Sequence, residues 1–347
     1  MDKDRINALM NKASAISSST IYYRLIALWV ICESALGGII HGLRLPISGL
    51  LVGSCAVICI TLIASYVPTK GSILKATIIV AIFKMMLSPQ SPPTAYIAVF
   101  FQGIIGELLF FNTRWRKLAC ILFAILALLE SAVQRILILI IVYGKEVWKA
   151  VNDFINSLTH QTAITNYSLY FVGVYILLHL LTGLFIGFFT TNLPSAILKC
   201  KAEVNFDVTI NNDTILSNQI YSSKKKKILN GSLLIVWIVL IFLYIQSIIP
   251  IGEPLLSSHV SIQIFIRSLL IILFWYFVLS PLLNICLKKW LAKQQNKSQK
   301  DIQQILLLLP AVKYIVQQSW QLSSSYKGIK RWKQFCKISL VYTLYYE

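Results

Sequence analysis

The chain has 347 residues, of which 57% are hydrophobic and 13% charged, with a mean hydropathy of +0.71. So much apolar surface excludes an ordinary soluble domain and predicts an all-α polytopic membrane bundle. A net charge of +19 would point to nucleic acid in a soluble protein. Here the cations flank apolar runs, where anionic lipid headgroups account for them, and no nucleic-acid partner is expected.

A polar, Ser-rich arm over 1–23 opens the chain, and the apolar run after it lacks a small-residue cleavage site, so it reads as a retained span. Eight runs follow, at about 24–40, 47–66, 72–88, 94–112, 118–143, 167–191, 228–249 and 263–287. Several are just long enough, at about 1.5 Å per residue, to cross roughly 30 Å of hydrocarbon. Lys3, Arg5, Lys12 and Arg24 precede or open the first run. Lys70 and Lys75 fall at the second connection, Arg114, Arg116 and Lys117 at the fourth, and Lys199, Lys201 and the four lysines at 224–227 at the sixth. A dense basic series begins at Lys288, whereas the opposite connections hold only Arg44, Lys145 and Lys149. The positive-inside rule then makes the N-terminus, the basic loop at 192–227 and the C-terminus cytoplasmic in a plasma membrane.

Run one carries Glu33 and, at its end, His41. Eight helical residues separate them by about 80° of rotation, on a similar face. Ser34, Gly38 and Gly42 on the same run have the four-residue spacing that lets another helix backbone come close. Lys84 ends run three, Gln90 lies in the proline-rich connection at 88–94, and run four has a polar stripe of Gln102, Gly103, Gly106 and Glu107. Run five holds Glu130, Ser131, Gln134 and Arg135, and run six His179. An ionisable group in hydrocarbon costs at least about 2.5–3.5 kcal/mol unless it faces protein or water. Two arrangements satisfy that constraint. In one, Glu33, His41, Lys84, Gln90, Gln102, Gln134, Arg135 and His179 line a polar substrate pocket that opens outward under short, proline-stiffened connections. In the other, Glu33 with Lys84, and Glu130 with Arg135, are internal ion pairs that hold the bundle together.

Enzymatic chemistry finds little support. The aspartates Asp2, Asp4, Asp153, Asp207, Asp213 and Asp301 all lie outside the runs, and His41, His160, His179 and His259 form no HExxH pair. Residues 68–72 lack the upstream glycine and the Gly-Lys-Ser/Thr order of a phosphate loop. The seven cysteines contain no CxxC pair; Cys55 and Cys59 share a helical face without histidine or acidic neighbours and read as packing residues. No catalytic residue, metal site or cofactor is expected, so active transport would draw its energy from a partner or an ion gradient.

Two further spans occupy 228–290, and 291–347 reads as a pair of cytoplasmic amphipathic helices. Residues 299–322 place Ile302, Ile305, Leu309, Val312, Val316 and Trp320 at helical spacing. Over 326–346, Ile329, Trp332, Phe335, Cys336 and Leu340 form one arc, and Lys327, Lys330, Arg331, Lys333 and Lys337 the other. Such helices lie on a membrane surface or dock onto a partner. Lys327, Gly328, Lys330, Arg331, Trp332, Lys333 and Phe335 are the contact residues expected, in a tail separable from a six-helix module at 24–191.

The stretch from Glu33 to Gly49, with Gly37-Gly38 and His41 ahead of a proline-containing connection, and the stretch from Ser88 to Glu107 resemble the substrate-capture (S) components of energy-coupling factor transporters. The resemblance covers about residues 20–200. It implies a six-helix module that binds a vitamin or a vitamin precursor from outside and meets a coupling subunit, and through it ATPases, by small residues on helix one. The C-terminal part is similar only in outline to the coupling subunit, with Tyr326-Lys327-Gly328 nearest to its Ala-Arg-Gly motif. The residues leave open a non-transport membrane assembly or scaffold protein whose basic tail recruits a cytoplasmic partner. A gradient-driven carrier would be expected to show inverted repeats, and none is evident.

Overall fold

The computed structural model describes residues 18–37, 48–88, 91–111, 115–159, 167–203, 238 and 258–345, and among these it is helical with no strand. The helices in chain order are α1 (Ser18–Ile31), continued by a π-turn at Cys32–Leu36, α2 (Ser48–Tyr66), α3 (Ser72–Leu87), α4 (Pro93–Phe110), α5 (Arg116–Tyr143), α6 (Lys145–Thr159) and α7 (Tyr167–Glu203). Beyond α7, whose last turns take up residues 192–203 of the expected basic loop, come α8 (Ser258–Phe274), a second π-turn at Trp275–Leu279, α9 (Ser280–Lys297), α10 (Gln299–Leu322) and α11 (Gly328–Tyr345).

Five of these stretches are long and apolar enough to cross a membrane: Ser48–Tyr66, Pro93–Phe110, Arg116–Tyr143, Tyr167–Cys200 and Ile262–Lys297. The eight spans expected are therefore met by five. The run at 72–88 folds as the 16-residue helix α3, about 24 Å long, and the run at 24–40 leaves α-helical geometry at Cys32. The run at 228–249 lies outside the described residues apart from Ile238. Exposed leucines, isoleucines and phenylalanines along α4, α5 and α7 fit helices surrounded by lipid.

The chain divides into two compact units, one of Met1–Leu128, Thr182–Tyr221 and Leu287–Glu347, the other of Leu129–Leu181 and Ser222–Cys286. In the second unit α6, an amphipathic helix that hydropathy had left inside a connection, packs on α8. Its Asn152 Oδ1 accepts a hydrogen bond of 2.8 Å from the Ser168 N–H in the first turn of α7, satisfying one of the amides that every helix start leaves open.

In the first unit α1 packs against α2, α3, α10 and α11, and Leu25, Ile26, Ala27, Trp29 and Val30 have no exposed surface. Glycines let α5 and α7 cross closely. A Cβ on Gly183 or Gly187 of α7 would lie 2.9 or 2.7 Å from the Cα of Ile125 or Ile121 on α5, so the four-residue spacing of these two glycines brings the helix backbones together. The start of α3 needs Gly71, whose φ of 81° is a left-handed conformation that other residues adopt only with strain. Glu107 of α4 closes that helix end: its carboxylate accepts from the N–H groups of Gly71 at 2.6 Å, Ile73 at 3.1 Å and Leu74 at 3.3 Å. Three open amides and the positive end of the helix dipole thereby meet one anion.

The tail belongs to this unit and is not peripheral to it. Ile302, Ile305 and Val312 of α10 are buried, Leu309 and Val316 pack partly buried against the core, and Trp320 is exposed. The expected apolar stripe is thus present, and what it covers is α1 of the same chain. Asp301 fastens the beginning of α10, accepting from the Tyr23 hydroxyl at 2.5 Å and pairing with Lys75 at 3.0 Å. Burial first, and Asp301 second, push the Tyr23 hydroxyl up to about 12. On α11 the amphipathic pattern stops halfway. Residues 338–345 are buried all round, as in a core helix, and α11 ends with Tyr345 Oη 3.4 Å from Tyr66 Oη at the end of α2.

Candidate functional site

The π-turn in the first unit carries the most deeply buried charge. A π-turn closes i→i+5 hydrogen bonds and inserts an extra residue into the helix, a device found frequently at functional sites. Here the Gly37 N–H donates to the Cys32 carbonyl, and within the turn Glu33 meets Lys84 from the last turn of α3, Nζ to Oε2 at 2.7 Å. Their side chains are 3% and 5% exposed. Lys84 also donates to the Ala95 carbonyl at 3.4 Å, and Ser88 Oγ donates to the Ser34 carbonyl at 3.2 Å. The start of α1's π-turn, the end of α3 and the start of α4 are therefore laced together by polar contacts at one end of the bundle. With its ammonium paired, Lys84 keeps Glu33 from being an isolated charge in an apolar interior.

Gln102 lies two turns further along α4 from Ala95 and is 3% exposed. Its Oε1 has no hydrogen-bond partner among the described residues, and its Nε2 lies beside Gly53 of α2, 3.6 Å from where a Cβ would stand. A buried carboxamide with an open acceptor costs free energy that a ligand donor would recover.

The other expected site residues belong to the second unit or lie outside the described residues. His41 and Gln90 lie outside them, as do Gly38 and Gly42, so of the small-residue stripe only Ser34 is placed, its hydroxyl donating to the Val30 carbonyl. Gln134, Arg135 and His179 belong to the second unit. His179 is 1% exposed, with Nδ1 2.9 Å from the Tyr175 carbonyl one turn back and its ring 4.4 Å from that of Tyr175. A carbonyl oxygen only accepts, so in this bond Nδ1–H donates. Glu130 Oε2 is buried without a hydrogen-bond partner among the described residues; five helical residues place Arg135 about 140° away around α5.

Among the tail residues, Trp332 and Phe335 pack edge-to-face with Trp320, ring centroids 5.1 and 5.3 Å apart, and the Arg331 guanidinium lies 4.2 Å over the Trp320 ring. Lys327, Gly328, Lys330 and Lys333 are exposed. Of the cysteines, Cys32 lies within hydrogen-bonding reach of both Cys55 and Cys59, a neighbour that the spacing of the latter two does not reveal. Among the described residues no cluster of histidines, cysteines and carboxylates has the arrangement of a metal site.

Sequence reasoning missed two features. Glu107 reads as part of a polar stripe on run four, yet it caps α3; the clue is Gly71, which marks a helix start needing an anion. Gly183 and Gly187 carry the close-packing spacing in plain view. Comparison with known proteins adds no relative: no family model, no curated protein and no solved structure matches the chain.

Proposed function

We propose that the chain is the substrate-capture component of a small-molecule uptake system of the energy-coupling factor type, with its own C-terminal helices taking the place of part of the coupling subunit. The observation that carries this reading is Gln102, an unpartnered acceptor in the apolar core of the first unit. It lies along α4 from the Glu33–Lys84 pair, in the part of the chain that resembles S components. The packing of α10 and α11 on α1 supports the second half of the proposal, since helix one is the surface that S components offer to their coupling subunit. The substrate class is a small polar molecule with a hydrogen-bond donor for Gln102, a vitamin or vitamin precursor; ATPases would be recruited in trans.

Protein purified from cells grown in rich medium should release a single small molecule on denaturation, identified by mass spectrometry. Gln102→Leu fills the same space without the open acceptor, so it should lower retention about tenfold or more and leave the melting temperature unchanged or raised. A wild-type protein that retains nothing defeats the capture reading. The second reading, a membrane assembly or scaffold protein, is favoured by the Glu33–Lys84 pair, which closes on itself without a ligand.

The orientation follows from the distribution of cations and has its own test. A cysteine replacing Ser91 should react with an impermeant maleimide added to intact cells, and one replacing Ser222 should react only after permeabilisation. Labelling of the second in intact cells reverses the proposed topology.

A further inference from the structure

We propose that the cavity at the beginning of α5 binds a phosphate group, carried by an anionic phospholipid. The cavity has a volume of about 600 Å³ and lies in the first unit, between the last turn of α2, the first turns of α5 and the C-terminal third of α7. Arg116 and Lys117 line it together with Trp115, Ser65, Thr191 and Ser195, and no carboxylate does. Neither cation has an ion-pair partner among the described residues, so two positive charges border a cavity that no described carboxylate lines.

The hydroxyls define the rest of the ligand. Ser65 Oγ donates to the Thr61 carbonyl at 2.6 Å, Thr191 Oγ1 to the Gly187 carbonyl at 2.8 Å and Ser195 Oγ to the Asn192 carbonyl at 2.8 Å. Each hydroxyl has one proton, and these bonds commit it. Toward a ligand the three oxygens are acceptors, so the charged side chains that donate are the two cations, beside the indole N–H of Trp115. A phosphodiester bearing a hydroxylated headgroup matches both halves, with its anion on Arg116 and Lys117 and its alcohol protons on the hydroxyl oxygens.

Position selects a lipid as the carrier. The cavity lies where α2 ends and α5 begins, and both helices are span-length and apolar, which puts it at headgroup depth. Trp115 is 65% exposed and Leu118 53% exposed at its edge, an aromatic and apolar margin of the kind found at membrane interfaces.

The probes are phosphatidylglycerol, phosphatidylcholine and inorganic phosphate. Full-length protein equilibrated in mixed micelles with equal amounts of the two lipids should retain phosphatidylglycerol in preference by about thirtyfold at low ionic strength, as native mass spectrometry reads it. Arg116→Gln combined with Lys117→Gln should bring the ratio close to one. Ser195→Trp keeps both charges and fills the cavity, so it should lose the preference as well, with an unchanged melting temperature showing that the fold is intact. Displacement of phosphatidylglycerol by millimolar inorganic phosphate would keep the phosphate site and move its source from lipid to solution. Equal retention of the two lipids by the wild type, or a preference that survives both variants, overturns the proposal.

Discussion

Lys84→Met is expected to destabilise the protein by about 3–5 kcal/mol, because it leaves the Glu33 carboxylate charged and unpaired in an apolar interior. The side chain of Glu33 is 3% exposed and its partner stands 2.7 Å away, so removing that partner strands the carboxylate away from solvent. The check is thermal unfolding in detergent, together with the yield of monodisperse protein. The double variant Glu33→Gln, Lys84→Met should recover most of the loss, since replacing both members of a buried pair is commonly near neutral. The rescued protein then separates the two readings of the pair. If it melts normally and still holds its small molecule, Glu33 and Lys84 are structural; if it melts normally and holds none, they contact the ligand. A single variant as stable as the wild type would show that the pair does not hold the bundle together.

Ending the chain at Ser298 should be more damaging. The sequence pattern suggests a separable tail, but Ile302, Ile305 and Val312 of α10 and Leu340, Val341 and Leu344 of α11 are buried in the same apolar cluster as Leu25, Ile26 and Trp29 of α1. Burying a large apolar side chain contributes about 1.5–3 kcal/mol against water. Against lipid the gain is smaller and comes from close packing, to which the Tyr23–Asp301–Lys75 contacts add polar anchoring. The Lys75–Asp301 pair is half exposed on the lysine side and contributes about 1 kcal/mol at most, so apolar packing dominates. The truncated protein is expected to reach only a small fraction of the wild-type level of folded protein, measured by fluorescence-detected size exclusion of a fusion to the N-terminus. A truncated protein that accumulates and melts like the full chain would show α1 to be self-sufficient. It would restore the tail as an accessory.

These two variants mark what hydrophobicity reveals and what it conceals. The long apolar runs of α2, α4, α5 and α7 were legible because a span must hide its backbone from lipid over a fixed length, which leaves a one-dimensional trace. The stripe on α10 was legible for the same reason, as a period of 3.6. Its partner was not, because an apolar face is equally suited to lipid, to another protein or to α1. The polar contacts behave alike: that Glu33 and Lys84 need partners follows from their place in apolar runs, whereas their choice of each other depends on how α1 and α3 are rotated. Glu107 shows the same limit, since its partners are backbone amides near Gly71, and backbone amides have no signature in a sequence.

The π-turn at Cys32–Leu36 bears on how this chain tolerates insertion and deletion. One residue of α-helix is about 100° of rotation and 1.5 Å of rise, and a π-turn stores one residue beyond regular winding. Removing a single residue from 34 to 36, beyond Glu33, would let α1 run on as an unbroken α-helix, absorbing the loss locally. The same deletion within Ser18–Ile31 has no such slack and would turn Glu33 about 100° away from Lys84. A one-residue deletion scan along α1 should therefore show a short permissive window at the π-turn, flanked on its N-terminal side by positions that allow none. It also follows that a position before Cys32 and one after Leu36 share a face only after that extra residue is counted.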